Sequence, residues 1–117
     1  MTDIPKRVLI VNVGEWGIVK RESYDSQAEM FERRLTRAGA TVNVVTSMED
    51  ARKRFPMSDV AVFLTRGMTE TAKEIAGEFR SLRVVVLTGL IPRDEVVFIS
   101  KGWIAAGVEL GDLILHL

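Results

Sequence analysis

Three short stretches of this chain carry the residue types from which a site can be built: Asn12 to Gly17, Thr65-Arg66-Gly67, and Thr88-Gly89. In the first, Gly14-Glu15-Trp16-Gly17 is a glycine-bounded turn holding a carboxylate and an indole. A dinucleotide turn needs three glycines running straight into a helix, so that backbone N–H groups surround the pyrophosphate. Here there are two, and the next helix signal comes only at Ser26. Two readings remain: a turn around a half-buried Trp16, or a mobile loop whose Trp16 or Tyr24 covers a ligand, since long loops often carry function. In the second stretch, the Arg66 guanidinium before Gly67 and a helix start combines positive charge with free backbone donors, which is the chemistry of an anion pocket. The alternative is an exposed arginine pairing with Glu70 or Glu74. Thr88 can donate its hydroxyl to the same pocket, or it can simply end a strand together with Gly89.

The rest of the composition removes most other chemistries. There is no cysteine, which excludes disulfides, thiolate metal sites and cysteine nucleophiles. The single histidine, His116, stands at the C-terminal end, and metal sites need clusters of ligands, so neither metal nor cofactor is expected. Glu15, Asp25 and Asp94 are scattered acids with no visible pairing. Ser100 and Lys101 form no motif. Arg33-Arg34 and Arg52-Lys53-Arg54 are interspersed with acids and read as solvated helix faces. Sixteen basic and sixteen acidic residues leave no basic excess for nucleic acid. No apolar run approaches a membrane span, and Met1 to Arg7 lacks the apolar stretch of a signal peptide, so a cytoplasmic location is expected.

The elements that must position these residues read as one α/β domain of 117 residues. Val8 to Val11 is a continuous apolar run, as in a strand buried on both faces. Ser26-Gln27-Ala28-Glu29 has the form of a capping box, and Ala28, Phe31, Leu35 and Ala38 recur at helical spacing up to Gly39. Thr41 to Thr46 alternates like an edge strand. Ser47 opens a short helix that Pro56 closes. Val60 to Leu64 is a third strand, Thr69 to Arg80 a helix, and Val84 to Leu87 a fourth strand. Val96-Val97-Phe98-Ile99 has strand propensity, but residues 88–95 are too few for a parallel crossover. A helix from Asp94 to about Glu109 is therefore expected, followed by a strand at Leu113 to Leu117. The expected architecture is an α/β three-layer sandwich, Rossmann/flavodoxin-like, with a mostly parallel sheet of about five strands and right-handed crossovers. Ligands in such sheets bind outside the carboxyl ends of the strands, where the three stretches fall.

Two resemblances add to this reading. Val8-Leu9-Ile10-Val11-Asn12-Val13-Gly14, Leu64-Thr65-Arg66-Gly67 leading to Glu70-Thr71-Ala72, and Val85-Val86-Leu87-Thr88-Gly89 leading to Pro92 are together similar to the bacterial-type asparaginase/glutaminase fold, over about half of the chain. The resemblance implies a helix and then a strand in the last thirty residues, and Tyr24 would match the family's loop tyrosine. The catalytic pattern departs from the family. Gly14-Glu15-Trp16-Gly17 lacks the nucleophilic threonine, Gly67-Met68-Thr69 lacks the aspartate, and Arg83 stands where the family has a lysine. The helix ending Arg37-Ala38-Gly39, with Thr41-Val42 and Ser47-Met48-Glu49-Asp50-Ala51, resembles a response-regulator receiver. Thr88 and Lys101 would match that family's threonine and lysine. Asn12-Val13 replaces its acidic pair, and Leu64-Thr65-Arg66 occupies the place of its phosphoacceptor aspartate, which makes a degenerate receiver.

The functional expectation is a non-catalytic module that binds a small anionic ligand, or a protein partner in a regulatory role, at the strand ends. A homodimer is expected through an apolar edge at Leu113-Ile114-Leu115. The alternatives are an amide hydrolase of unusual chemistry, using Tyr24 with Thr65 or Thr69 as nucleophile, and a phosphate-independent receiver. A hydroxyl nucleophile needs an adjacent base, and no histidine or lysine stands ready to serve.

Overall fold

A strand apolar at every position is stable only where both faces are covered and both edges are paired. In the computed structural model, which describes residues 6–13, 21–64, 68–87 and 96–99, the run at Val8 becomes such a strand, β1 (Arg7–Val11). It is followed by α1 (Arg21–Arg37), β2 (Thr41–Val45), α2 (Met48–Arg54), a 3₁₀ turn (Phe55–Met57), β3 (Val60–Phe63), α3 (Thr69–Glu78), β4 (Arg83–Leu87) and β5 (Val96–Ile99). The sheet order is β2-β1-β3-β4-β5. The first four strands are parallel and β5 is antiparallel to β4. The fold is thus α/β with the flavodoxin-like strand order.

Alternate residues of β1 enter opposite layers. Val8 and Ile10 pack with Phe31 and Leu35 of α1. Leu9 and Val11 pack with Ala51, Phe55, Ala72 and Ile75 from the α2 and α3 side. Phe55 also meets Phe63 and Phe79 at ring-centroid distances of 6.4 and 5.4 Å, within the range of favourable tilted aromatic pairs.

Two expectations are corrected. Residues 96–99, expected inside a helix, form a strand. The objection of short connection length applies to parallel crossovers only; an antiparallel neighbour needs no crossover, and the β-branched and aromatic run then follows its propensity. The remainder of that segment, and the expected strand at Leu113 to Leu117, lie outside the described residues. The first helix starts at Arg21, so Ser26 is an exposed interior residue and not a cap. Tyr24 continues the stripe of Ala28, Phe31 and Leu35 back by one turn, and its burial draws the helix toward the N-terminus.

The helix ends follow local chemistry. The Ser47 hydroxyl accepts from Asp50 N–H at 3.2 Å and caps α2 as read from the sequence. At the end of α1, Gly39 N–H donates to the Thr36 carbonyl and Ala40 N–H to that of Leu35, each at 3.0 Å. This is the Schellman pattern, with Gly39 at φ +101° and with Ala40 and Leu35 packed in the same core layer. At the amino edge, Asp59 ties three strands together. Its N–H donates to the Arg7 carbonyl at 2.8 Å, and its carbonyl accepts from Arg83 N–H at 3.0 Å. Its carboxylate accepts from Arg7 N–H at 2.8 Å, from Nε at 3.3 Å and from Nη2 at 3.2 Å.

Two glycines of opposite geometry give substitutions of opposite sign. A Cβ at Gly39 or at Gly77 would meet nothing within 4 Å, so only backbone preference acts. Gly39→Ala is expected to destabilise by about 1 kcal/mol because of its positive φ. Gly77→Ala, in an exposed last turn of α3, is expected to stabilise by about 0.5–1 kcal/mol. Denaturant melts of both variants check the signs.

Hydrogen bonds from Arg7 hold the Asp59 carboxyl below its ordinary range, against a smaller opposing effect of burial. A carboxyl depressed in the folded state contributes stability above its unfolded pKa of about 3.9, and that contribution is lost as pH falls through the folded value. The effect is modest because the two side chains are 50% and 42% exposed and screened by solvent. Asp59→Asn is expected to lower the melting temperature at neutral pH, with the gap from wild type narrowing in acid below that folded value.

Candidate functional site

The sheet order places a topological switch between β1 and β3. The chain leaves β1 for α1 on one face and leaves β3 for α3 on the other, so the helices part at the carboxyl ends of these neighbouring strands, the place where sheets of this order bind ligands. Leu64 N–H donates to the Val11 carbonyl at 3.3 Å, which sets Leu64 level with Asn12 on the neighbouring strand.

Asn12 is the first residue beyond β1 and is 3% exposed. Its backbone N–H donates to the Val45 carbonyl at 2.9 Å. By the two-residue alternation, its side chain falls on the α1 side with Val8 and Ile10. There its Nδ2 donates to Asp25 Oδ1 at 2.7 Å, in the range of a charge-assisted hydrogen bond. Helix α1 supplies the rest of this wall. Tyr24, 5% exposed, and the fully enclosed Gln27 share the inward face of the helix with Ala28, while the Asp25 backbone position lies outward of that face. The result is a buried amide holding a carboxylate beside the switch point.

Of the sequence candidates, Asn12 and Tyr24 fall on this wall. Tyr24 does so as a helical core residue and not as part of a loop. Gly14, Glu15, Trp16, Thr65, Arg66, Gly67, Thr88 and Gly89 lie outside the described residues; in sequence they directly follow Val13, Leu64 and Leu87. Asp25 was not distinguishable in the sequence from the other scattered acids. Its signal depends on where α1 begins, since only a helix running through residues 24–28 turns position 25 toward the end of β1. Among the described residues, no cluster of three or more metal-ligating side chains occurs, and no helix is long and apolar enough to cross a membrane.

Fold and site together define an α/β domain with the flavodoxin-like strand order and a buried polar contact, Asn12 to Asp25, beside its switch point. No family model matches the chain, and neither a curated protein nor a solved structure matches it.

The geometry makes the Asn12–Asp25 contact testable in the absence of any ligand. Asn12→Ala is expected to destabilise by about 1–3 kcal/mol, the cost of losing a buried hydrogen bond to a charged acceptor. Asn12→Asp brings a second carboxylate against Asp25. Its destabilisation is expected to be largest at neutral pH and to shrink as acid protonates one of the pair. Chemical denaturation at two pH values reads both.

Proposed function

We propose that this chain is a non-catalytic, regulatory ligand-binding module whose small polar ligand sits between the carboxyl ends of β1 and β3. The observation that carries this reading is the buried Asn12 amide holding the Asp25 carboxylate at 2.7 Å beside the switch point. Polar groups are costly to bury, and a core strand that needs only packing has no use for them at this place. Asp25 supplies an acceptor and negative charge. Arg66, two residues after Leu64 in sequence, supplies the positive charge that an anionic group requires. A ligand complementary to both carries an acid and a hydrogen-bond donor, as an amino acid or its amide does. In this reading the module acts in the cytoplasm as a homodimer, in keeping with a chain free of cysteine.

A thermal-shift panel of amino acids, their amides, phosphate, nucleotides and acetyl phosphate tests it. A ligand at about a hundred times its dissociation constant adds roughly 2.7 kcal/mol, a shift of several degrees for a domain of this size. An amino acid or amide is expected to raise the melting temperature, and Arg66→Ala and Asp25→Ala are each expected to remove the shift. A response only to phosphate or nucleotides would sink the proposed ligand class. Ammonia released from an amide would replace the non-catalytic reading with a hydrolase.

A further inference from the structure

Strand β2 ends the strand order, and of its five residues Val45 alone is buried. Its parallel register with β1 runs from Arg7 opposite Thr41 to Val11 opposite Val45. By alternation, the backbone groups of residues 41, 43 and 45 face β1, and those of Val42 and Val44 face away from the sheet. The ladder opens where Thr41 N–H donates to the Lys6 carbonyl at 2.8 Å and closes where the Val45 carbonyl accepts from Asn12 N–H at 2.9 Å. The last rung of a ladder on an edge strand is a place where local opening is easy. This one is made by a residue whose side chain is held as well. Asn12 is 3% exposed, and its Nδ2 donates to Asp25 Oδ1 at 2.7 Å. One buried residue therefore joins the edge strand, through its backbone, to helix α1, through its side chain.

We propose that Asp25 is the latch on this rung, so that whatever engages Asp25 beside the switch point sets how firmly the carboxyl end of β2 is paired. Both bonds come from one residue. A shift of the Asn12 backbone large enough to break the rung also carries Nδ2 away from Oδ1. Of the two, the bond to the carboxylate is the stronger, since an ionised partner roughly doubles a hydrogen bond. Helix α1 is a firm post for it, because Ala28, Phe31 and Leu35 pack in one core layer with Val8 and Ile10. Without the Asp25 carboxylate, the buried Nδ2 loses this acceptor. The cost of enclosing it then favours the open form, in which Asn12 meets water. Asp25 itself occupies an exposed position of the helix, within reach of a ligand, and Asn12 holds its carboxylate in one orientation. A ligand that takes the carboxylate so oriented binds the closed form and shifts the population toward it. This last step rests on the ligand site of the proposed function; the latch is a property of the chain by itself.

Amide hydrogen exchange of the full chain, resolved by residue, is the test. The Asn12 amide reports the last rung, and the Val8 amide, which the same alternation places at the other end of the ladder, is the internal reference. Asp25→Ala is expected to speed exchange at Asn12 at least about tenfold more than at Val8. Asp25→Asn keeps an oxygen acceptor without the charge and is expected to fall between that variant and wild type; it carries the test where Asp25→Ala does not fold. Equal acceleration at Asn12 and Val8 would mean that Asp25 supports the fold as a whole, and would overturn the proposal. No change at Asn12 would overturn it as well. In wild type, L-asparagine as a probe is expected to slow Asn12 further. A raised melting temperature with no slowing at Asn12 would break the link between site and strand. If asparagine does neither, the proposed ligand class is in error, and the variants still decide the latch.

Discussion

Because β1 is apolar on both faces, its side-chain pattern does not distinguish one register from the next. A one-residue slip would exchange Val8 and Ile10 for Leu9 and Val11, and either set suits a core. Strands of this kind normally take their register from what bounds them. Here the bounds are polar. At the amino edge, Arg7 is held to Asp59 through its backbone and its guanidinium. At the carboxyl edge, Asn12 is tied to Val45 by its backbone and to Asp25 by its side chain. A slip would bury Arg7 or expose Asn12 and break both sets of bonds. The two layers of the core, the level of Leu64 beside Asn12 and the outward positions of Val42 and Val44 all follow from the register so fixed.

What could be read from the sequence was the part governed by local pattern. The doubly buried β1 and β3, the edge character of β2, the Ser47 cap and the Gly39 stop each have a signal confined to a few neighbouring residues. The failures came where a distant contact decides. Ser26 and Glu29 fit a capping box, yet α1 extends a full turn earlier because Tyr24 is buried against the sheet. The tertiary contact overrides the local cap. Residues 96–99 have strand propensity, and the short connection after β4 speaks against a strand only where that strand is parallel; β5 is antiparallel. The pairing with Asp25 spans thirteen positions and has no periodic signature. It could be inferred only after the start of α1 was known.

The site and the edge also divide the chain's polar residues in a consistent way. Exposed charges pair along helix faces, as in Glu29 with Arg33 and Glu70 with Lys73, where such pairs contribute little. Asn12 and Gln27 are instead enclosed, on the α1 side of the carboxyl end of the sheet or on the helix that covers it. Buried polar side chains reduce the freedom of a core to repack, and they are kept where a specific geometry is needed. Their concentration beside the switch point, against an otherwise apolar interior, is the physical reason to look for function there.

Val45 connects the switch point to the β2 edge. Its carbonyl accepts the Asn12 N–H at 2.9 Å, while the same residue lines an open groove beside α2. A ligand that displaces Asn12 must carry the Val45 peptide with it or break that bond. An edge strand paired on one side resists such movement less than one paired on both, so strand addition at β2 would change how readily Asn12 yields. Linkage makes the effect reciprocal: whatever such pairing does to ligand affinity, the ligand does to the pairing by the same factor.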